Sequence, residues 1–484
     1  MPGKRFLFLI SLFTTLFPLL ATSTNQISLQ TPVVVFNTGD FLNTPVVSEN
    51  ADGFMIGCMD NQNFYSSFSA DGISWNLRTP VFNNAYTAAW IKGLPTGFMA
   101  TYIAGVPGFI TATPVSLFSS DQGQSWGVEE VIVSISTVAT PVVVTGNLAG
   151  FMATWFNTLD NNAYASFSTD NGLNWRSPVQ ITTSGLVFGT GPGGYNSAVI
   201  VSGTLDGFLA TWLQSDSNAY ASFSNNNGDT WSSPVQITHT GDVNSDVFVH
   251  GTSDGFMATW VDSFGNAYSS FSSDHGSSWS SPVSIASNLV INNLSSGEGA
   301  NISVSGTVDG FVVAWIGQDD NGYVSFSDDH GATWTTPLAI TTDNSVFHDN
   351  SDHAFGFVSV CVRPGSCVFS WLDSNHNIIA SYSTFPGGVV PSTIDAPTNL
   401  TSVQKKNSFG LLYELFNVVQ WEKSPSVDAI GYYVYCNGVK VATLDAFTLQ
   451  YIVHNQKRGV TTVYEVTAFN ADGVESVPAT TQLN

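Results

Sequence analysis

The chain has 484 residues, about a tenth of them charged, with 43 Gly, 34 Phe and 13 Trp; this excludes one ordinary domain by length, and a helical or disordered chain by composition, in favour of an all-β protein. Its net charge of −24 lies almost wholly between residues 24 and 392, where 28 acidic residues face four basic ones, Arg78, Lys92, Arg176 and Arg363. Such a body repels phosphate backbones and anionic headgroups, which excludes nucleic acid and membrane surfaces as natural partners of that region. Four cysteines (Cys58, Cys361, Cys367, Cys436) are too few and too scattered for a disulfide scaffold or a zinc site, so no metal or other cofactor is expected.

The first element is a leader. Lys4 and Arg5 precede the apolar run from Phe6 to Leu20, and small residues follow at Ala21, Thr22 and Ser23, the plan of a secretory signal peptide over 1–23. The run is about 15 residues, shorter than the roughly 20 that span a bilayer. No later stretch is continuously apolar for long enough. A secreted or cell-surface protein without an integral span after cleavage is expected.

Between 24 and 390 the chain repeats itself. Gly150-Phe-Met-Ala-Thr-Trp155 recurs at Gly207–Trp212, Gly255–Trp260 and Gly310–Trp315, with weaker copies at Gly53 and Gly97. Each copy is followed by a second run such as Asn162–Ser168, a turn, and a third run such as Ser177–Thr182. These are short runs rich in β-branched and aromatic residues, punctuated by Gly, Asn and Asp, and they predict four strands (A to D) in each unit of about 50 residues. That period and strand count fit propeller blades. A seventh unit begins at Ser366–Trp371 and lacks its D strand, whereas Thr31–Phe36 is an orphan D strand. The expected closure has the N-terminal strand completing the last blade, giving seven blades, with six as the alternative.

The C to D turns share a motif. Ser119-Ser-Asp121-Gln-Gly123-Gln-Ser-Trp126 is repeated around Asp170 and Trp175, Asp274 and Trp279, and Asp329 and Trp334; Asn226 replaces Asp in the copy ending at Trp231, and the copy with Asp71 and Trp75 is one residue short. The motif closely resembles the Asp-box (BNR repeat) of the sialidase and sortilin-like propellers. The resemblance covers about 24–390. These Asp, Asn and Trp residues are read as structural, with the carboxylate accepting turn amides and Trp folding back over its own turn. A calcium loop is disfavoured because each turn lacks the closing bidentate Glu.

The resemblance makes glycoside hydrolysis the first enzymatic reading. Sialidases use three arginines to hold the substrate carboxylate, a Tyr nucleophile activated by Glu, and an Asp acid-base residue. Only three arginines occur here, none expected to converge on the axis, and the Arg-Ile-Pro signature is absent. The long D to A loops offer Tyr195, Asn196 and Glu298 as weak catalytic candidates, on the same face as the B to C turn aspartates Asp160, Asp216, Asp262, Asp319 and Asp373, which are assigned to turn chemistry. His275 and His330 occupy the variable Asp-box position and are expected to be exposed spectators. Cys361 and Cys367 flank a turn and are candidates for a disulfide or for two unrelated core thiols.

After the linker-like Pro386–Pro391, the segment 391–484 resembles a fibronectin type III module, with Trp421 and Tyr464 at the positions of its buried Trp and corner Tyr. The expected function is an exported, monomeric, non-catalytic binding or adhesion-type protein whose propeller face recognises a glycan or an extracellular protein. The alternative is a glycoside hydrolase.

Overall fold

The computed structural model describes residues 28–37, 45–60, 63–76, 81–83, 89–104, 113–134, 138, 141–182, 198–287, 302–343, 345–347, 358–384, 394–409, 412–426, 429–470 and 475–483. The leader 1–23, the D to A loops holding Tyr195, Asn196 and Glu298, Arg78, and the linker 385–393 fall outside these.

Among the described residues, 28–384 form seven antiparallel sheets built in chain order, each with an up-and-down A-B-C-D path. The third is typical: Val143–Asn147, Gly150–Asn157, Asn162–Ser168 and Val179–Gln180, in the register Val143 to Thr154 and Trp155 to Tyr164. The B strands are largely apolar, with a buried Thr or Ser in most, because both their faces are covered. Gly255–Val261, for example, is buried at every residue. The A strands of successive sheets lie side by side, and the seventh neighbours the first, so the sheets close into a ring around an axis. The chain is a β-propeller.

The seventh sheet has Ser359–Arg363, Ser366–Leu372 and Ile378–Thr384 as A, B and C, and its outer edge is supplied from the other end of the chain by Ser28–Leu29 and Val33–Phe36. Ser28 pairs with Thr384 and Val33 with Ala380. This is the pairing expected of the orphan strand, and it covers an edge that would otherwise offer unpaired backbone groups.

The repeated turns fold as local hydrogen-bonded loops. Asp121 accepts from the Ser119 hydroxyl (2.9 Å) and the Ser125 amide (2.8 Å) on one oxygen and from the Ser125 hydroxyl (2.6 Å) on the other, while Gly123 N–H donates to Ser119 Oγ (2.8 Å). Asn226 works in the same place because only its second atom changes role. Its Nδ2 donates to Thr230 Oγ1 at 2.8 Å, while its Oδ1 still accepts from Ser224 and Thr230. Gly172 takes φ +83°, where an added Cβ would be strained and would meet Met99 Cε at 2.7 Å.

One expectation is corrected here. The motif Trp does not fold over its own turn but reaches the C strand of the preceding sheet. Trp126 Nε1 donates to Ser66 Oγ (3.2 Å), Trp175 to Ser116 (2.9 Å) and Trp334 to Ser269 (2.9 Å). Trp75, Trp231 and Trp279 have buried Nε1 atoms with no hydrogen-bond partner. The repeat explains this, because Ala380, Ala165 and Ala221 stand in the preceding C strands where the others have serine. These turns therefore join sheet to sheet rather than forming separate small cores.

Residues 394–483 form two further sheets. Thr398–Phe409, Leu412–Glu422 and Gln450–Val453 make one; Val439–Asp445, Ala429–Cys436, Thr462–Asn470 and Ala479–Leu483 make the other. Trp421 from the first sheet and Tyr432, Val434, Tyr464 and Val466 from the second share one core. The Tyr464 hydroxyl accepts from Asn417 Nδ2 at 2.8 Å.

Candidate functional site

The seven A strands give the ring an internal comparison. Their last three residues in sheets three to six run Thr145-Gly-Asn147, Ser202-Gly-Thr204, His250-Gly-Thr252 and Ser305-Gly-Thr307. Small hydroxyl residues and glycine suit this place because neighbouring A strands touch backbone to backbone: a Cβ on Gly203 would lie 2.6 Å from the Gly146 carbonyl. The departures are Glu49 in the first sheet, Lys92 in the second, His250 in the fifth, and Cys361 and Arg363 in the seventh. All converge on the axis, at the face carrying the A to B turns.

Glu49 stands between its two neighbours. Lys92 Nζ lies 2.9 Å from Glu49 Oε1, and the Cys361 thiol donates to Oε2. Both charged side chains are mostly buried, each 22% exposed. Burial works against the Glu49 carboxylate, but the Lys92 ammonium and the hydrogen bonds from Cys361 and Lys92 outweigh it and hold its pKa below the ordinary value. Burial also works against the Lys92 ammonium, and Glu49 outweighs it, so the Lys92 pKa is raised. His250, which hydrogen-bonds the Gly306 backbone, has its pKa lowered to about 4 by burial and by Lys92, and it is neutral at neutral pH.

Glu49, Lys92 and His250 line a cavity of about 210 Å³ on the axis, together with Arg363, Thr145, Ser202 and Thr204. The A to B turns form its rim, and Ile430, Phe469 and Asn470 of the C-terminal sheets cover it on one side. The Arg363 guanidinium donates to the Ala51 carbonyl at 2.8 Å and lies over the Phe54 ring. Further along the axis, Trp90 of the second sheet meets Phe248 of the fifth, with ring centroids 6.2 Å apart. Those sheets are not neighbours, so the pair crosses the axis and narrows the bore.

Other sequence candidates are placed elsewhere. Arg176 is exposed on the outer part of the ring, paired with Asp229 at 2.9 Å and lying over Phe167. Arg363, in contrast, lines the axial cavity, which corrects the expectation that no arginine approaches the axis; the A strand in which it ends runs along that axis. The B to C aspartates hold their own hairpins. Asp160, Asp216 and Asp319 accept from Tyr164 (2.6 Å), Tyr220 (2.9 Å) and Tyr323 (2.8 Å), and Asp262 and Asp373 bind Asn266 and Asn377. His275 and His330 are not spectators. Each sits at positive φ, stacks on Phe223 or Phe271, and lies 3.2 Å from Asp206 or Asp254 in the preceding sheet's A to B turn.

Cys361 and Cys367 are free thiols. Cys361 pairs with Val368 and Val362 with Cys367, so the two cysteines point to opposite faces of the sheet and cannot form the disulfide. Burial pushes the Cys367 thiol up to about 12.

Composition and local motifs did not reveal the axial cluster. Its signal is the last three positions of the A strand, where Glu49, Lys92, His250 and Arg363 depart from the Ser-Gly-Thr or Thr-Gly-Asn of the other units.

No family model matches the chain, and no curated protein does. Solved structures that resemble it include a fucose-recognising fungal lectin of Aleuria aurantia with a six-bladed β-propeller fold (8% identity, TM-score 0.42, covering 64% of this chain and 99% of that one). An α-L-arabinanase of Penicillium chrysogenum complexed with arabinobiose is similar at 13% identity and TM-score 0.41, covering 75% of this chain and 100% of that one. An ulvan lyase of polysaccharide lyase family PL25 is similar at 11% identity and TM-score 0.47, covering 73% and 96%.

Proposed function

We propose that this chain is an exported, non-catalytic binding protein: a seven-bladed, Asp-box type propeller closed by its N-terminal strand, followed by a fibronectin type III-like module, that recognises a glycan or an extracellular protein. The observation that carries the reading is the axial cavity, where polar side chains from several sheets converge beneath the C-terminal unit, as they do in binding pockets. Its charged pair is a carboxylate with an ammonium rather than the two carboxylates of a glycosidase. The turn aspartates engage their own loops, which also favours binding over hydrolysis.

The test is a glycan array probed with the purified full chain, run beside a pull-down from the native surface. Retention of a defined glycan or protein, with no release of product from neutral-sugar or sialic acid glycosides, is the expected outcome. Failure to retain any partner in both assays, or turnover of a glycoside, would sink the reading.

A further inference from the structure

The cavity's own chemistry narrows the ligand, granted the binding reading above. Propeller repeats that only fold have no need to differ from one another at the axis, yet Glu49, Lys92, His250 and Arg363 do so and line one cavity. Two of the four cations between residues 24 and 392, Lys92 and Arg363, line this cavity in a region that is otherwise strongly acidic. With Glu49 charged and His250 neutral, the charged side chains lining it sum to +1. The local preference is thus for an anion, against the sign of the whole molecule.

Two further observations give the anion its shape. The cavity wall carries the hydroxyl-bearing residues Thr145, Ser202, Thr204, Thr252 and Thr307 from four successive sheets. The cavity of about 210 Å³ opens at the rim of A to B turns and has room for a sugar ring.

We infer that the axial cavity is a subsite for a sugar bearing a carboxylate, of the hexuronic acid type, with its acid group toward Arg363 and Lys92 and its hydroxyls toward the Ser and Thr residues of the wall. Charge-assisted hydrogen bonds to the guanidinium and ammonium supply selectivity for the acid, and the hydroxyl-lined wall selects a polyol over a simple carboxylate.

Titration calorimetry of the full chain with D-glucuronate, D-galacturonate, D-glucose and acetate tests this, with a disaccharide carrying a non-reducing uronate as the chain-end arm. At least one uronate is expected to bind ten-fold or more tightly than glucose and acetate. Arg363→Gln should weaken it at least ten-fold, and Arg176→Gln, on the outer ring, should leave it unchanged. The paired variant Glu49→Gln with Lys92→Met removes both charges together and should also weaken uronate while leaving the melting transition cooperative. Equal affinities for uronates and glucose, or a uronate affinity unmoved by Arg363→Gln, would overturn the inference. Neutral glycans retained on the array without any uronate binding would overturn it while leaving the binding function intact; no ligand in any format would remove both.

Discussion

The outer turns and the axis of the ring are built from the same repeat and behave in opposite ways. At the turns, one set of residues does one job again and again: a Ser hydroxyl and an Asp or Asn side chain satisfy the loop, and Trp reaches the preceding sheet. At the axis, the last three A-strand positions carry Glu, Lys, His, Cys or Arg in some units and Ser, Thr, Gly or Asn in the others, and no two neighbouring departures are alike. Repetition marks what folding needs from each unit. Difference at matched positions marks what the assembled ring needs once.

The largest effect should come from opening the ring. Removing residues 28–37 strips the outer edge from the seventh sheet, and the melting temperature should fall by on the order of 10 °C. Removing 394–483 should leave the propeller transition nearly unchanged. Scanning calorimetry distinguishes the two, and an N-terminal truncation that melts like the full chain would show that the ring closes some other way.

Next comes the axial pair. Glu49→Ala leaves the Lys92 ammonium mostly buried and unpaired, and should destabilise by about 3 kcal/mol in denaturant titrations. The double change to Gln and Met should cost much less. A loss below about 1 kcal/mol for the single variant would place the pair with ordinary surface ion pairs.

His250 sharpens the contrast through pH. Its folded pKa of about 4 lies below its ordinary 6.5, so the unfolded chain binds a proton that the folded chain does not in that interval. Its contribution is fully present above about pH 6.5 and is lost as pH falls through 4, by about 3 kcal/mol. In His250→Gln that part of the stability profile should flatten, whereas an unchanged slope between pH 6.5 and 4 would assign it to other groups.

The smallest effects test the turn ring. Ser116→Ala removes the partner of Trp175 Nε1 and should cost about 1 kcal/mol. Ala165→Ser offers Trp231 the partner it lacks and should return up to about the same amount. Equal melting curves for both variants and the parent would mean that these indoles gain nothing from the serine.

What could be read from the sequence divides along the same line. The strands and turns were legible because their causes are local: Asp121 finds its partners within four residues, and the pattern recurs around the chain. The closing strand was legible as a unit missing at one end and left over at the other. The direction of the motif Trp was not, because Ser66 and Trp126 are 60 residues apart and only the packing of sheet on sheet joins them. The axial cluster was harder still. Glu49 meets Lys92 across 43 residues and Cys361 across 312, and each looks unremarkable until the units are superposed. The loop candidates Tyr195 and Glu298 lie outside the described residues.

The closing strand also sets a schedule for synthesis. Its pairing joins residues 351 apart, as in the contact from Ser381 to the Gln30 carbonyl, so the first strand made must wait for the last sheet. At about 5–20 residues per second that wait is on the order of tens of seconds. Throughout it, Val33–Phe36 is a hydrophobic strand without a partner, able to pair with whatever edge it meets first. Six sheets can form as they emerge, each resting on the one before. The ring itself can be completed only after Thr384 has been made, which places the vulnerable period of this molecule in its biosynthesis.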